Sequence, residues 1–136
     1  MEREDKELLL KDLCARLPYG VKAKYYGSAE ECECCDTIEG IYPMDDEIVI
    51  GQYGLSVDMI KPYLFPLSSM TEEQKKEYNL WKHEVPVCHY EYGDVVEEVE
   101  LFDSPESFEY LIENHFDYRG LIPKGLANDA TGLNIY

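Results

Sequence analysis

Apolar residues recur at helical spacing in the first segment of the chain, on the face formed by Leu9, Leu10, Leu13, Cys14 and Leu17. Residues three and four positions apart share one side of a helix, so this stripe predicts an amphipathic helix over residues 5–17. Asp5 is suited to cap its start. Pro18 ends it, because the residue before a proline avoids helical backbone angles.

Short apolar and aromatic runs, separated by Gly and Pro, follow from residue 21 to residue 66. They predict strands over 21–26, 37–42, 47–51 and 53–60. Residues 61–66 are expected to be extended, because Pro62 and Pro66 forbid a helix. The intervening residues 27–36 are predicted to form an acidic loop.

Two more helices are predicted from their start signals. Ser69-Met70-Thr71-Glu72 and Thr71-Glu72-Glu73-Gln74 both match a capping box and indicate a surface helix over 71–82 whose far end docks through Trp81. Ser104 and Pro105 begin a helix over 104–116. His115 falls on the apolar face of that last helix and is interpreted as a hydrogen-bonded core histidine.

Residues 85–92 and 95–102 are predicted to form a β-hairpin. Gly93-Asp94 would supply a type II′ turn, whose twist matches that of the strands. Val95, Val99 and Leu101 would then share one face. A helix also fits 95–102, so the pattern leaves both structures open.

The tail, residues 117–136, is predicted to be ordered, because its apolar residues need a core to cover them: Leu121, Ile122, Leu126 and Leu133. Together the elements predict a single α+β domain over residues 1–136. It would consist of a small antiparallel sheet of short strands with about three helices packed against it. The charged N-terminus lacks an apolar signal core and no apolar run reaches the ~20 residues of a membrane span, so a cytoplasmic protein is expected.

Acidic residues are segregated within a formal net charge of −17. Residues 25–60 hold nine acids and residues 83–118 hold eleven, and neither stretch contains a Lys or Arg. Clustered positive charge is what proteins use to bind nucleic-acid backbones and anionic membranes. We therefore expect no direct binding to nucleic acid or membrane, and a protein partner instead.

Cys32, Cys34 and Cys35 are the only candidates for a metal site, with Cys88, His83, His89 and His115 as possible further ligands. Structural zinc usually takes paired cysteine knuckles, and this cluster has no second pair. The surrounding acids are also expected to raise the thiol pKa values and so disfavour reactive thiolates. The cysteines are therefore interpreted as reduced thiols, with no metal or cofactor assigned.

No catalytic residue is assigned, because the chain has none of the common nucleotide-binding, metalloprotease or hydrolase motifs. In Cys88-His89 the side chains would leave a strand on opposite faces, which is not the arrangement of a thiol protease. The many carboxylates, Glu97, Glu98 and Glu100 among them, are interpreted as a solvated strand face.

Four segments together resemble a family of small uncharacterised proteins from gut Bacteroides-type bacteria, often associated with prophages or other mobile elements. They are KDLCARLPYGV at 11–21, KPYL at 61–64, PLSSMT at 66–71 and HFDYRGLIPKGLA at 115–127. Phe65 departs from the family pattern, which has a basic residue there. The family has no assigned activity, so the resemblance implies a bacterial cytosolic protein and transfers no site residues.

Three functions follow as hypotheses. The leading one is a non-enzymatic binding or accessory protein, favoured by the segregated acids, the twelve tyrosines and the missing catalytic motifs. The second is a DNA mimic that inhibits a nucleic-acid-binding protein, which requires both acidic stretches on one face. The third is an enzyme with an unrecognised site, one version of which is metal-dependent through the acids or the cysteines.

Overall fold

The computed structural model describes residues 1–26 and 33–136, with side chains described for 1–25 and 35–136. The chain divides into two compact units. Unit 1 comprises Met1–Ser69 and Ile112–Tyr136, and unit 2 comprises Met70–Leu111. Within the described residues there are three α-helices and nine short strands, which confirms the predicted α+β class. The prediction of a single domain stays a prediction.

The helices and strands have the following bounds. The helices are α1 Arg3–Arg16, α2 Glu72–Trp81 and α3 Pro105–Glu113. The strands are β1 Lys22–Tyr26, β2 Glu33–Tyr42, β3 Glu47–Ile50, β4 Tyr53–Ser56, β5 Ile60–Pro66, β6 His83–Glu91, β7 Asp94–Phe102, β8 Phe116–Asp117 and β9 Asn128–Asp129.

Seven strands form the sheet of unit 1, in the order β4-β3-β2-β1-β5-β8, with β9 also paired to β5. The pairings among β1 to β5 are antiparallel, as predicted. The two short strands from the tail pair in parallel with β5 and make the sheet mixed. The tail therefore completes the sheet that the first half of the chain begins.

α1 begins earlier than predicted, so Asp5 lies in its first turn and Glu2 occupies the cap position without a side-chain hydrogen bond. An acid in the first turn still interacts favourably with the helix dipole. Leu9 and Leu13 are fully buried in the core of unit 1, whereas Cys14 is exposed. The apolar stripe is therefore narrower than predicted.

Two of the predicted segments differ from the structure. β2 begins at Glu33, so a loop is the wrong prediction for residues 33–36, which pair with β1; residues 27–32 of that prediction lie outside the described residues. The predicted strand over 53–60 ends at Ser56, whose hydroxyl accepts the Asp58 N–H at 3.4 Å and starts a 3₁₀ turn. That turn redirects the chain before β5 begins.

The core of unit 1 lies between α1, the sheet and the tail. β3 buries alternate residues, Ile48 and Ile50, as expected for a strand with one covered face. Leu121 and Leu126 are buried, which confirms that the tail is ordered, but Leu133 is 53% exposed. The Asp117 carboxylate fixes the start of the tail, because it accepts the N–H groups of the residues at 121 and 122 at 2.9 Å each.

The predicted starts of both helices in unit 2 are confirmed. Gln74 N–H donates to Thr71 Oγ1 at 3.2 Å and Thr71 N–H donates to Gln74 Oε1 at 2.9 Å, which is the complete capping box. At α3, Ser107 N–H donates to Ser104 Oγ at 3.0 Å. Both helix starts could be predicted because each depends on residues three positions apart.

Trp81 does not dock α2, since 54% of it is exposed. Tyr78 does so instead: its ring lies 6.2 Å from that of Tyr110, and its hydroxyl donates to Asp103. The Tyr110 hydroxyl donates to Glu77 at 3.0 Å. Burial is the main cause that raises the pKa of Tyr110 to about 12, with the hydrogen bond to Glu77 adding to it.

Candidate functional site

The strands β6 and β7 form a two-stranded sheet of their own. Their pairing runs from His83 opposite Phe102 to Glu91 opposite Asp94, without interruption. Within the part of the chain that the structure describes, no further strand pairs with either of them. The predicted hairpin is therefore confirmed, and the alternative of a helix over 95–102 is wrong.

The turn of the hairpin is one residue earlier than predicted. Tyr92 and Gly93 connect the strands, with φ of 52° and 85°. Positive φ at both central positions is a type I′ turn, not the type II′ turn expected at Gly93-Asp94. Asp94 instead pairs with Glu91 and extends the ladder by one residue pair.

The register places Val95, Val99 and Leu101 on one face of the hairpin, as predicted, together with Pro86 and Tyr90 from β6. We call these five residues the apolar face. All five are exposed, with Tyr90 at 82%, Val99 at 65% and Val95 at 60%. Glu84, Cys88 and Glu97 lie among them on the same side.

The opposite side of the hairpin, which we call the acidic face, holds the carboxylates of Glu91, Asp94, Glu98 and Glu100. His83, His89 and Phe102 also lie on this side. Its valines are half-buried: Val85, Val87 and Val96. The two faces therefore differ in both charge and cover, and the apolar face is the more open of the two.

Local pairs hold the hairpin together, because no residue of either strand is buried. Tyr90 lies opposite Val95, and Pro86 lies opposite Val99. Such aromatic and β-branched cross-strand pairs each contribute roughly 0.2–1 kcal/mol. A two-stranded hairpin in water is only marginally stable, so this element is the part of unit 2 with most to gain from a partner.

The charge on the hairpin is of one sign. Its two strands contain six acids and no Lys or Arg, and the basic group near an acid is His89, whose Nε2 lies 3.7 Å from Glu91 Oε2. Glu91 also lies directly opposite Asp94, and like charges in that position are destabilising. The carboxylates of Glu91 and Asp94 therefore repel each other, and a cationic ligand nearby would reduce this repulsion.

A second exposed apolar patch lies at the end of α2, just before β6. Leu80 is 82% exposed, and it lines an open cleft of about 470 Å³ with Glu77 and Trp81. Exposed Leu and Trp side chains side by side are uncommon on monomeric surfaces. Unit 2 therefore carries two uncovered apolar patches within one short segment of the chain.

The structure describes only part of the cysteine cluster that the sequence offers as a metal site. Cys32 lies outside the described residues, and only the backbone of Cys34 is described, in β2. Cys35 is an exposed free thiol, and partial burial raises its pKa, with Asp36 adding to the rise and Lys22 opposing it. Among the side chains described, those of residues 1–25 and 35–136, no three of His, Cys, Asp or Glu come close enough to hold a metal ion.

A buried ionic cluster in unit 1 was not predicted. Arg16 Nε donates to Asp12 at 2.7 Å, Arg16 Nη2 donates to the Phe116 carbonyl at 2.6 Å, and Arg119 Nε lies 3.2 Å from Asp12. Asp12 and Arg16 are both 0% exposed. Their positions three and seven residues after Leu9 were the signal in the sequence, since both fall on the buried face of α1. The cluster joins α1 to β8 and acts in folding.

His115 also differs from its interpretation. α3 ends before it, and the residue has a left-handed φ of 64°. Its ring stacks on Tyr136 with centroids 3.7 Å apart, and its buried Nδ1 has no hydrogen-bond partner among the described residues. Burial, with smaller contributions from Arg16 and Lys22, lowers the pKa of His115 to about 4.

Cys88 and His89 are adjacent in β6 and therefore point to opposite faces, as predicted. None of the helices in the described ranges combines the length and apolar character of a membrane span. Comparison with known proteins finds no matching family model, no matching curated protein and no matching solved structure.

Proposed function

We propose that the protein is a non-enzymatic binding or accessory protein and that the apolar face of the β6–β7 hairpin is its contact surface. The observation that carries this proposal is that all five residues of that face are exposed, on a hairpin without a covering layer among the described residues. Contiguous exposed apolar surface on a soluble protein usually marks an interaction site.

The composition of the face suits a protein partner. Tyr90 offers a large flat ring with a polar tip, and such residues dominate the binding energy of many interfaces. Fully covering a Val or Leu side chain contributes about 1.5–3 kcal/mol. Covering three or four such side chains contributes at most about 5–12 kcal/mol. The entropic cost of association offsets much of this gain, so a specific complex also needs polar or charged contacts.

The distribution of charge on the hairpin favours a protein partner over the DNA-mimic hypothesis. A mimic needs carboxylates in a continuous row that follows the spacing of phosphates. The six acids of the hairpin are instead divided between its two faces. On the apolar face, Glu84 and Glu97 are separated by apolar residues. The resemblance to proteins of mobile elements supports a bacterial, cytoplasmic partner as part of the same proposal.

The experiment is an affinity capture from bacterial lysate with three proteins. The wild type is compared with Val95→Ser/Val99→Ser/Leu101→Ser and with the control Met44→Ser/Leu133→Ser, which alters exposed apolar residues of unit 1. A partner bound by the wild type and the control but lost by the triple variant supports the proposal. A monomer that captures nothing, or equal capture by all three, would contradict it.

A further inference from the structure

The backbone of the hairpin has two outer edges, and the register decides which groups point outward. In a hairpin with a two-residue turn, the residues that flank the turn, Glu91 and Asp94, exchange backbone hydrogen bonds. Bonded and non-bonded pairs then alternate along the ladder. The non-bonded pairs, whose N–H and C=O groups point away from the partner strand, are 90/95, 88/97, 86/99 and 84/101.

The two edges are not equivalent. The outer edge of β6 contains Pro86 at an outward-pointing position, so it lacks an N–H donor near its centre. Proline at such a position is a common protection against unwanted strand pairing. The outer edge of β7 has no proline, and no strand within residues 1–26 and 33–136 pairs with it. Its outward donors and acceptors are those of Val95, Glu97, Val99 and Leu101.

The same residues of β7 define which side chains a new strand would meet. Val95, Val99 and Leu101 belong to the apolar face, so alternate side chains of an added strand would lie beside them. The intervening side chains would lie beside Asp94, Glu98 and Glu100 on the acidic face. The edge is therefore complementary to a strand in which apolar and positively charged residues alternate.

We propose that the outer edge of β7 binds an extended segment of a partner protein in which apolar residues alternate with Lys or Arg. This inference rests on the proposed function and names its partner by chemistry. Strand addition derives affinity from main-chain hydrogen bonds and specificity from alternate side chains. The cationic side chains would also relieve the repulsion between Glu91 and Asp94.

Charge argues against a second copy of this chain as the occupant. Two β7 edges brought together would place Glu97, Glu98 and Glu100 of one copy beside the same acids of the other. Each chain also carries a net charge of −17, which opposes self-association at low ionic strength. The same negative charge would instead attract a basic segment.

The probe is a fluorescent nine-residue peptide of alternating Val and Lys, with two N-methylated versions, one methylated at the Val amides and one at the Lys amides. In antiparallel addition the Val amides face β7, and in parallel addition the Lys amides do. We expect one methylated peptide to bind at least ~10-fold more weakly and the other to bind like the parent, since only one edge is used. Equal affinity of all three, or equal weakening of both versions, would overturn edge binding.

A pair of protein variants tests the same edge by changing the protein instead of the peptide. Val99→Pro removes an outward N–H without removing a hydrogen bond of the hairpin, whereas Val99→Ser removes the same apolar side chain and keeps the N–H. Peptide binding should be at least ~10-fold weaker in Val99→Pro than in Val99→Ser. Similar binding by the two variants would contradict strand addition at this edge.

The charge requirement is tested with a Val–Gln peptide and with Glu98→Gln/Glu100→Gln. Both should weaken binding several-fold at low salt, with the difference lost near ~1 M salt. Equal binding of the Val–Gln and Val–Lys peptides would overturn the basic partner, and a stable dimer of this chain without peptide would assign the edge to a second copy. If the triple Ser variant loses its lysate partner while no peptide shows edge dependence, the proposed function stands and this inference fails.

Discussion

Strands β3 and β7 both place aliphatic residues on one face, but only one of these faces is covered. β3 alternates Ile48 and Ile50 with less buried residues. Both isoleucines are 0% exposed and belong to the core of unit 1. β7 places Val95, Val99 and Leu101 on one face, with Glu97 between the two valines, yet none of its residues is buried. An alternating pattern thus predicts a strand and its faces, but it does not predict whether another layer covers the apolar face.

The comparison extends to what stabilises each unit. Unit 1 combines a buried apolar core with an ionic cluster that joins residues distant in sequence. Unit 2 depends on two helix caps, the Tyr78–Tyr110 contact and cross-strand pairs at the surface. Regions with few buried contacts open locally at low free-energy cost. Substitutions in unit 1 should therefore cost far more than equivalent substitutions in the hairpin.

The largest expected effect is that of Asp12→Asn in unit 1. It leaves two guanidinium groups, those of Arg16 and Arg119, without their buried carboxylate. Removing one partner of a buried ion pair costs about 3–5 kcal/mol of unfolding free energy, measurable by urea denaturation. The control is Asp58→Asn, which removes surface ion pairs and should cost less than about 1 kcal/mol. Equal costs would show that the cluster does not stabilise unit 1.

The next largest effect compares two glycines with positive φ, Gly51 beside β3 and Gly93 in the hairpin turn. In Gly51→Ala the new Cβ would overlap the hydroxyl of Tyr25, whose side chain is buried and has little room to move. Overpacking and left-handed strain together should cost about 2–4 kcal/mol. Gly93→Ala meets nothing within 4 Å, so only the strain of about 1 kcal/mol applies. Thermal denaturation that ranks Gly93→Ala as the worse variant would reverse this comparison.

Features set by neighbouring residues could be predicted from the sequence. The caps at Thr71 and Ser104 and the shared face of Val95 and Val99 depend on spacings of a few residues. Features set by distant residues could not. In the sequence, Arg16 is an ordinary basic residue at a helix end. In the structure its guanidinium donates to the carbonyl of Phe116, which is 100 positions away.

The candidate site shows the same limit. Its strands and faces follow from alternation. The exposure of Trp81, and the lack of a third strand beside β7 in the part of the chain that the structure describes, depend instead on which other elements reach them. The start of β2 at Glu33 is a similar case, because pairing with β1 overrides the preference of a local acidic run for a loop. The run of acids marks the segment that contains the hairpin but does not indicate which of its residues are uncovered.

A smaller effect is expected from the pH dependence of unit 1 through His115. Its folded pKa of about 4 lies below the unfolded value of 6.5, so the unfolded chain binds the proton first as pH falls. The stability that the neutral ring contributes is fully present above pH 6.5 and is lost as pH falls toward 4. After allowance for partial exposure, this loss is about 1–2 kcal/mol.

His115→Asn removes the titrating ring and keeps a residue that tolerates the left-handed backbone. Urea unfolding at several pH values between 5 and 6.5 should show a smaller fall in stability for this variant than for the wild type. The variant changes no titratable group except His115. Any pH dependence of its stability that remains between pH 5 and 6.5 therefore comes from groups other than His115. Identical slopes for the two proteins would remove His115 as the cause.

The smallest effect is expected from Val99→Thr on the apolar face. Threonine has the same shape and a similar β-propensity, and its hydroxyl would be solvated because Val99 is 65% exposed. The free energy of unfolding should change by less than about 0.5 kcal/mol. Val21→Thr in unit 1 makes the same change at a position that is 0% exposed, and burying the hydroxyl there should cost about 1–3 kcal/mol.

The difference between these two valines separates two reasons for an apolar residue at a given position. If Val99→Thr costs as much as Val21→Thr, something within this chain covers the hairpin, and the apolar face serves folding. If Val99→Thr leaves stability unchanged but weakens binding of the Val–Lys peptide, the side chain contributes nothing to the free chain and contributes to the complex. A residue with that combination is an interface residue, and the contrast with Val21 is then a contrast between core and binding site.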